Sequence, residues 1–338
     1  MPEIAGSIAE MLQGWDEMTE ELEIDVFSEF NRLSADIISK FAFGSSYEEG
    51  KKIFELQEKS MLLASKVMKS IYVPGFRFLP TKDNRERARL DREAGECIKK
   101  LIMEEKAKKA KENRKNMLSI LISKHKTLKG EEEQLSMKEI IDECKGLYFA
   151  GKETAASALT WSILLLAKHQ DWQEKAREEA FRVLGNNPVS PEKIKDLKIA
   201  HMILNETLRL YPIVTSLVRK TTARMKLGEV EVPAGTQIEV PLAALQRDGD
   251  LWGMDANEFD PLRFSGGRKH IAAHMPFGLG PRICVGQNLY VYEWKMALSA
   301  IVRRYEFWVS SGYVHCPFIY ISLQPKYGAH IRFRKLSI

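Results

Sequence analysis

The chain lacks the means for a disulfide framework or a zinc site. Its four cysteines (Cys97, Cys144, Cys284 and Cys316) are scattered over 338 residues, and no two form a C-x-x-C pair. Thiols so spaced argue against a disulfide scaffold and a redox dithiol, and suit a reducing, cytosol-facing setting. Long apolar runs are missing as well. The most apolar stretch, Phe149 to Ala167, is broken near its start by Lys152 and Glu153, so nothing reads as a signal peptide or a membrane span. Charge of one sign barely dominates: 51 Lys and Arg stand against 46 Asp and Glu, a net +5 that does not imply nucleic acid as a partner. The densest basic part, Lys99 to Lys115, is interleaved with Glu104, Glu105 and Glu112 and reads as a solvated helix face. No low-complexity tract and no internal repeat is present. What remains, 44% hydrophobic and 29% charged residues, is the composition of a globular protein able to bury a substantial core.

Periodicity predicts helices over the first two thirds. From Val26, the apolar Phe30, Leu33, Ile37 and Phe41 recur at three- and four-residue steps, the stripe of a core-facing helix. Further helices are expected over Tyr47–Ile71, Asp83–Glu112 and Met117–Ser123, with Val73-Pro74-Gly75 as a break and Lys126–Gln134 as a polar loop. Ser136 followed by Glu139 is a capping box, so a long helix should run from Ser136 to His169. Helices near Trp172–Leu184 and Ile199–Tyr211 follow. Thr215 to Val240 reads as short strands, Gln246 to Pro281 as irregular, Gln287–Arg304 as a helix. Strands are expected last, at Glu306–Val309, Tyr320–Leu323 and Ile331–Arg334. One domain over 1–338, mainly α with small β-sheets, is the simplest account.

Three constellations carry chemistry. In Phe277-Gly-Leu-Gly-Pro-Arg-Ile-Cys-Val-Gly286, glycines flank a cysteine that opens a helix. The helix dipole and Arg282 both favour a thiolate at Cys284, which could be a nucleophile, a metal ligand or an iron ligand. A nucleophile needs a base, and His270 or His274 upstream are the candidates; a buried structural thiol is the bland alternative. Ala150-Gly-Lys-Glu-Thr154 interrupts the long helix with a glycine that costs about 0.5–1 kcal/mol relative to alanine. By itself this pentapeptide reads best as a small-residue packing contact. Glu206 and Arg209 share a helix face at i and i+3, but so do Glu29/Arg32, Glu86/Arg89, Glu174/Arg177 and Glu179/Arg182, expected as exposed pairs. Apolar neighbours (Ile203, Leu204, Leu208, Leu210) set Glu206 apart, and Asp260-Pro-Leu-Arg-Phe264 lies downstream.

Phe277, Gly280, Arg282, Cys284 and Gly286 together match the heme-binding signature of the cytochrome P-450 family, F-x-x-G-x-R-x-C-x-G, which the chain resembles along essentially its whole length. The resemblance implies heme b with Cys284 as proximal iron ligand. It places the long helix over the distal face of the heme, with Glu153 and Thr154 delivering protons to bound dioxygen and Gly151 leaving space for it. It joins Glu206 and Arg209 to Arg263 in a buried triad that holds the cysteine loop. Arg219 and Arg282 would meet the two heme propionates, with an exposed strand residue as the plain alternative for Arg219. Phe76-Arg-Phe-Leu-Pro-Thr81 resembles the plant clan that includes secologanin synthase and the brassinosteroid-inactivating hydroxylases. The implied activity is insertion of one oxygen atom from O2 into a lipophilic terpenoid, steroid or hormone-like substrate. An NADPH-dependent cytochrome reductase would be the electron donor, and the cytosolic face of the endoplasmic reticulum membrane the location.

Two departures qualify the resemblance. The chain begins late, with its first recognisable element near Val26, so that the family's membrane anchor, first strands and an early propionate-binding helix are expected to be missing. Leu262 stands where the family often has Glu. An inactive or partly folded fragment, serving at most as an interaction module, is the rival reading, and a cysteine hydrolase is the other.

Overall fold

Two elements precede Val26: helix α1 (Pro2–Asp16) and strand β1 (Glu21–Asp25). The pattern was present in the sequence and was missed there. Ile4, Ile8, Leu12 and Trp15 recur on one helical face, all buried, and Leu22 and Ile24 alternate inward as a half-buried strand requires. The computed structural model describes residues 2–18, 21–45, 47–68, 73, 75–109, 116–126, 132–185, 191–266 and 272–336. The end of the expected helix at Ile71, Pro74, residues 110–115, most of the polar loop and His270 lie outside the described residues.

The remaining helices are α2 (Val26–Ile38), α3 (Tyr47–Met68), α4 (Lys82–Lys109), α5 (Met117–Ile122) and α6 (Met137–Lys168). They continue with α7 (Gln170–Leu184), α8 (Pro191–Ile194), α9 (Lys198–Leu210), α10 (Leu242–Leu245), α11 (Gly249–Trp252) and α12 (Gln287–Arg304). The strands after β1 are short: β2 (His125–Lys126), β3 (Glu132–Glu133), β4 (Leu217–Lys220), β5 (Met225–Leu227), β6 (Val230–Val232) and β7 (Gln237–Val240). β8 (Tyr305–Val309), β9 (Pro317–Ile319), β10 (Leu323–Pro325) and β11 (His330–Lys335) close the list. The fold is thus mainly α with small antiparallel sheets. It divides into two compact units, one of Met1–Trp15 with Ser28–Ala156, the other of Asp16–Phe27 with Ser157–Ile338.

In the first unit, α1 meets α2 through polar as well as apolar contacts. Ser7 Oγ donates to Asp36 at 2.6 Å, and the Trp15 indole donates to Glu29 at 3.2 Å. Glu29 therefore serves α1 rather than acting as the exposed partner of Arg32. α2 runs into a π-helical turn, Ser39–Phe43, ended by Gly44 at φ 61°. The wider turn shifts the phase of the stripe: Ala42 and Phe43 are buried while Phe41 is only half-buried. Phe43 stacks on Tyr148 of α6 with centroids 4.0 Å apart. α6 begins with the reciprocal capping box expected, Ser136 N–H to Glu139 at 2.8 Å and Glu139 N–H to Ser136 Oγ at 3.3 Å. The basic run on α4 is not wholly solvated, because Glu105 is buried and accepts from Asn116 Nδ2 at 2.9 Å.

The second unit holds the sheet β1-β11-β8, in which Glu21–Asp25 pairs with His330–Arg334. Tyr305, Phe307, Ile331 and Phe333 fill its inner face. Buried charges join the helices. Arg177 of α7 donates to the carbonyls of Val302 (2.8 Å) and Tyr305 (3.2 Å), capping the end of α12. Glu179 accepts from the N–H groups of Lys198, Ile199 and Ala200 at 2.8–2.9 Å, so the first turn of α9 is capped from another helix. Lys295 Nζ donates to the carbonyls of Ile194 and Leu197. The expectation of exposed pairs thus fails for Glu174/Arg177 and Glu179/Arg182: Arg177 and Glu179 are buried because helix ends need partners where water cannot reach. Glu86/Arg89 is exposed as expected.

Cys144 is buried, its thiol pushed up to about 12 by loss of solvation, whereas Cys97 and Cys316 are only half-buried. No helix among the described residues is long and apolar enough to cross a membrane.

Arg177→Ala should lower stability by about 2–3 kcal/mol, since two buried carbonyls lose their donor. Arg89→Ala should leave the denaturation midpoint unchanged. Urea unfolding of the two variants checks both outcomes.

Candidate functional site

The strongest anchor of the candidate site is ionic and dry. Glu206 and Arg209 on α9 are both fully buried and meet in a two-pronged pair, with both N···O distances 2.7 Å. Arg209 then donates to the carbonyls of Gln246, Ala256 and Glu258 at 2.8, 2.5 and 3.0 Å, and stacks over the Trp252 ring at 5.1 Å. Glu206 also accepts the Asp260 N–H at 2.9 Å and has Arg263 Nε 3.5 Å away. Arg263 sits in a 3-10 turn, Pro261–Phe264, started by Asp260, whose side chain accepts from Leu262 N–H. It reaches the Trp252 carbonyl at 3.0 Å and pairs with Asp255. The Arg263 hydrogen bond holds the Asp255 carboxyl below its ordinary value. Leu262 is exposed, so the residue between Pro261 and Arg263 takes no part in this cluster. The irregular stretch after Gln246 is thereby hung from one arginine.

Downstream comes the cysteine loop. Gly278 and Gly280 have φ of 73° and 72°, left-handed values that disfavour a side chain. A 3-10 turn spans Gly280–Arg282, and the Cys284 N–H donates back to the Phe277 carbonyl at 2.8 Å, closing the loop just ahead of α12. Cys284 is exposed, as are Arg282 and the apolar Ile283 and Val285. A Cβ at Gly286 would lie 3.8 Å from the Cys284 sulfur, an ordinary contact. Phe277 packs against Tyr290 of α12 at 5.6 Å, and the Tyr290 hydroxyl is buried with no hydrogen-bond partner among the described residues. Burial, followed by the Glu293 charge, raises that phenol well above its usual value. Sequence reasoning overlooked Tyr290; its only signal was a phenol one turn past a glycine that opens a helix. An exposed thiol thus sits in a glycine-shaped loop beside the exposed apolar side chains of Ile283 and Val285, open to a ligand that binds sulfur.

His274, the described candidate base, is buried between Phe264 (4.8 Å) and Trp252 (6.3 Å), with Nε2 3.1 Å from the Asn205 carbonyl. Its Nε2 is committed to the backbone of α9, as suits a core histidine. Arg219 is exposed on β4, opposite Ile238 of β7, and donates to its own neighbour's carbonyl, that of Val218.

Glu153 and Thr154 lie on the part of α6 that belongs to the first unit, and both are half-exposed. The Thr154 hydroxyl donates to the Ala150 carbonyl at 2.6 Å, the back-bond that mid-helix threonines favour. Gly151 has a packing reason. A Cβ there would lie 2.6–2.7 Å from Cγ1 and Cδ1 of Ile38, so the Ile38 side chain occupies the space that an alanine would need. Lys152 pairs with Glu58 and lies over Phe54.

Residues 1–328 match the cytochrome P450 family, and the chain belongs to that family of oxidoreductases. It is 42% identical to Cytochrome P450 CYP72A219 of Panax ginseng, over 98% of this chain and 67% of that protein. It is 37% identical to Cytochrome P450 734A1 of Arabidopsis thaliana (100% and 66%) and 39% identical to Secologanin synthase 1 of Catharanthus roseus (100% and 67%). The chain therefore spans about two thirds of the length of these relatives.

Arg209→Ala should destabilise the second unit by about 3–5 kcal/mol, because Glu206 would be left as an unpaired buried charge. Arg89→Ala is the exposed control. Equal small losses in thermal unfolding would show that the α9 pair carries no special weight.

Proposed function

We propose that this chain is a heme-thiolate monooxygenase domain, 1–338, that binds heme b through Cys284. What supports this most is the exposed Cys284 thiol in its closed glycine loop, in a chain of this family. A heme bound there supplies activation of O2 for insertion of one oxygen atom into substrate. The residues of the chain have separate tasks. Cys284 would hold the iron through its sulfur, from a loop that runs directly into the start of α12. Phe277, Gly280 and Gly286 shape the loop, and Arg282 and Arg219 are the cations proposed for the carboxylates of the heme. Glu206, Arg209 and Arg263 fix the stretch that leads into the loop and touch no reactant. Glu153 and Thr154 are proposed to hold and pass protons on the oxygen side. For that task Thr154 must turn its hydroxyl away from Ala150, a one-bond change. A lipophilic terpenoid, steroid or hormone-like substrate is proposed, and likeness to a secologanin synthase supports a plant metabolite. An NADPH-dependent cytochrome reductase and the cytosolic face of the endoplasmic reticulum are proposed as partner and setting.

Reconstitution with hemin, reduction and addition of carbon monoxide tests the ligand. The wild-type chain should give the strongly red-shifted Soret band of thiolate ligation, and Cys284→Ser should lose it. A free-hemin spectrum from the wild type would mean an inactive fragment. Persistence of the band in the serine variant would remove Cys284 as ligand.

The proton role is tested in the chain extended to the full length of its relatives. Glu153→Gln with Thr154→Ala should keep the red-shifted band yet lower product formed per electron consumed, with peroxide released instead. Unchanged coupling would remove both residues from the mechanism.

A further inference from the structure

An aromatic series crosses the second unit. It begins at Trp161 of α6, fully buried, whose indole N–H donates to the Leu323 carbonyl at 2.9 Å. The Trp161 ring stacks on Tyr211, just past α9, with centroids 4.3 Å apart and planes within 8° of parallel. The Tyr211 hydroxyl lies 3.3 Å from Nε2 of His315, and the Tyr313 hydroxyl lies 2.9 Å from Nδ1 of the same ring. Exposure rises in steps, from the buried Trp161 through the half-buried Tyr211 to the exposed His315.

Indole and phenol are the side chains that most readily give up one electron, and stacked rings exchange electrons quickly. A phenol does so only if a base takes its proton. His315 is placed to be that base. In the tautomer whose Nδ1–H donates to the Tyr313 oxygen, the lone pair on Nε2 faces the Tyr211 hydroxyl.

We propose that Trp161, Tyr211 and His315 form a proton-coupled relay that carries an oxidising equivalent from the interior of the protein to its surface. A one-electron oxidant takes an electron from Trp161, leaving an indole radical cation. Tyr211 returns an electron to the indole and passes its phenolic proton to His315 Nε2, giving a neutral tyrosyl radical and an imidazolium. A thiol or ascorbate in solution then supplies one electron to Tyr211, and the imidazolium returns the proton. The oxidant proposed in the cell is heme oxidised by peroxide, so its source rests on the heme reading above. The relay would drain such equivalents before they attack the chain.

The charges around the relay agree with this direction. Burial, then the Lys168 and Arg247 cations, hold the His315 pKa below its usual value, so the ring is neutral at pH 7. Burial raises the Tyr211 phenol against the opposing pull of Arg247, whose guanidinium lies 5.9 Å from the Tyr211 ring. Transfer is accordingly present at neutral pH and lost as pH falls through the His315 value, where Nε2 already carries a proton.

The test uses the full chain without heme, oxidised by a flash-excited ruthenium polypyridyl with a sacrificial quencher. Transient absorption should show an indole radical cation decaying into a neutral tyrosyl radical, and a nitroso spin trap should mark Tyr211 on peptide mapping. Tyr211→Phe should lengthen the life of the indole radical and abolish the adduct at position 211. His315→Gln, an exposed change that spares the fold, should slow the decay and remove its dependence on pH. Decay and tyrosyl yield equal to wild type in both variants would overturn the relay. Because no heme is present, that result would leave thiolate ligation by Cys284 untouched, and failure to bind hemin would leave the relay untouched.

Discussion

The contact between Glu206 and Arg209 sets the terms for the second unit. Both groups are fully buried, and either one alone would be a costly unpaired charge. Each partner is then used again: Arg209 gathers three backbone carbonyls from residues 246, 256 and 258, and Glu206 collects an amide and a second arginine. An irregular segment has no ladder or helix to satisfy its carbonyls, so a buried guanidinium with five donors is an economical substitute. The segment that leads to Cys284 is held by charge where other parts of the chain are held by secondary structure.

The same device recurs on a smaller scale. Arg177 closes the end of α12, Glu179 opens α9, and Lys295 gathers the last carbonyls around α8. In each case a charged side chain from one helix meets the backbone dipole at the end of another. Helices joined in this way need fewer capping residues of their own, and the residue before α9, Leu197, indeed caps nothing with its side chain.

Local signals were legible in the sequence, and distant ones were not. The capping box of α6 was readable because both partners lie within one turn. The special standing of Glu206 among five similar tetrads was readable from its apolar neighbours. Arg177 and Glu179 were misjudged because their partners lie on distant segments, up to 128 residues away for Arg177. Gly151 stood out as a helix glycine, yet only the structure supplies its neighbour, Ile38, from α2. The π turn at Ser39–Phe43 was invisible, since one additional residue per turn leaves no mark on composition and merely moves Phe41 off the buried stripe. The shape of the cysteine loop was the most legible part of all, because its glycines are dictated by backbone geometry within ten residues.

The sheet β1-β11-β8 has a consequence for synthesis. β1 ends at Asp25 and its partner β11 begins at His330. At about 5–20 residues per second, a ribosome needs roughly 15–60 s to travel between them. During that interval a strand with Leu22 and Ile24 on one face has no neighbour and an open edge. Nascent chains of this protein therefore carry an adhesive, unpaired strand until β11 has been made, and whatever shields it in the cell must act before that point.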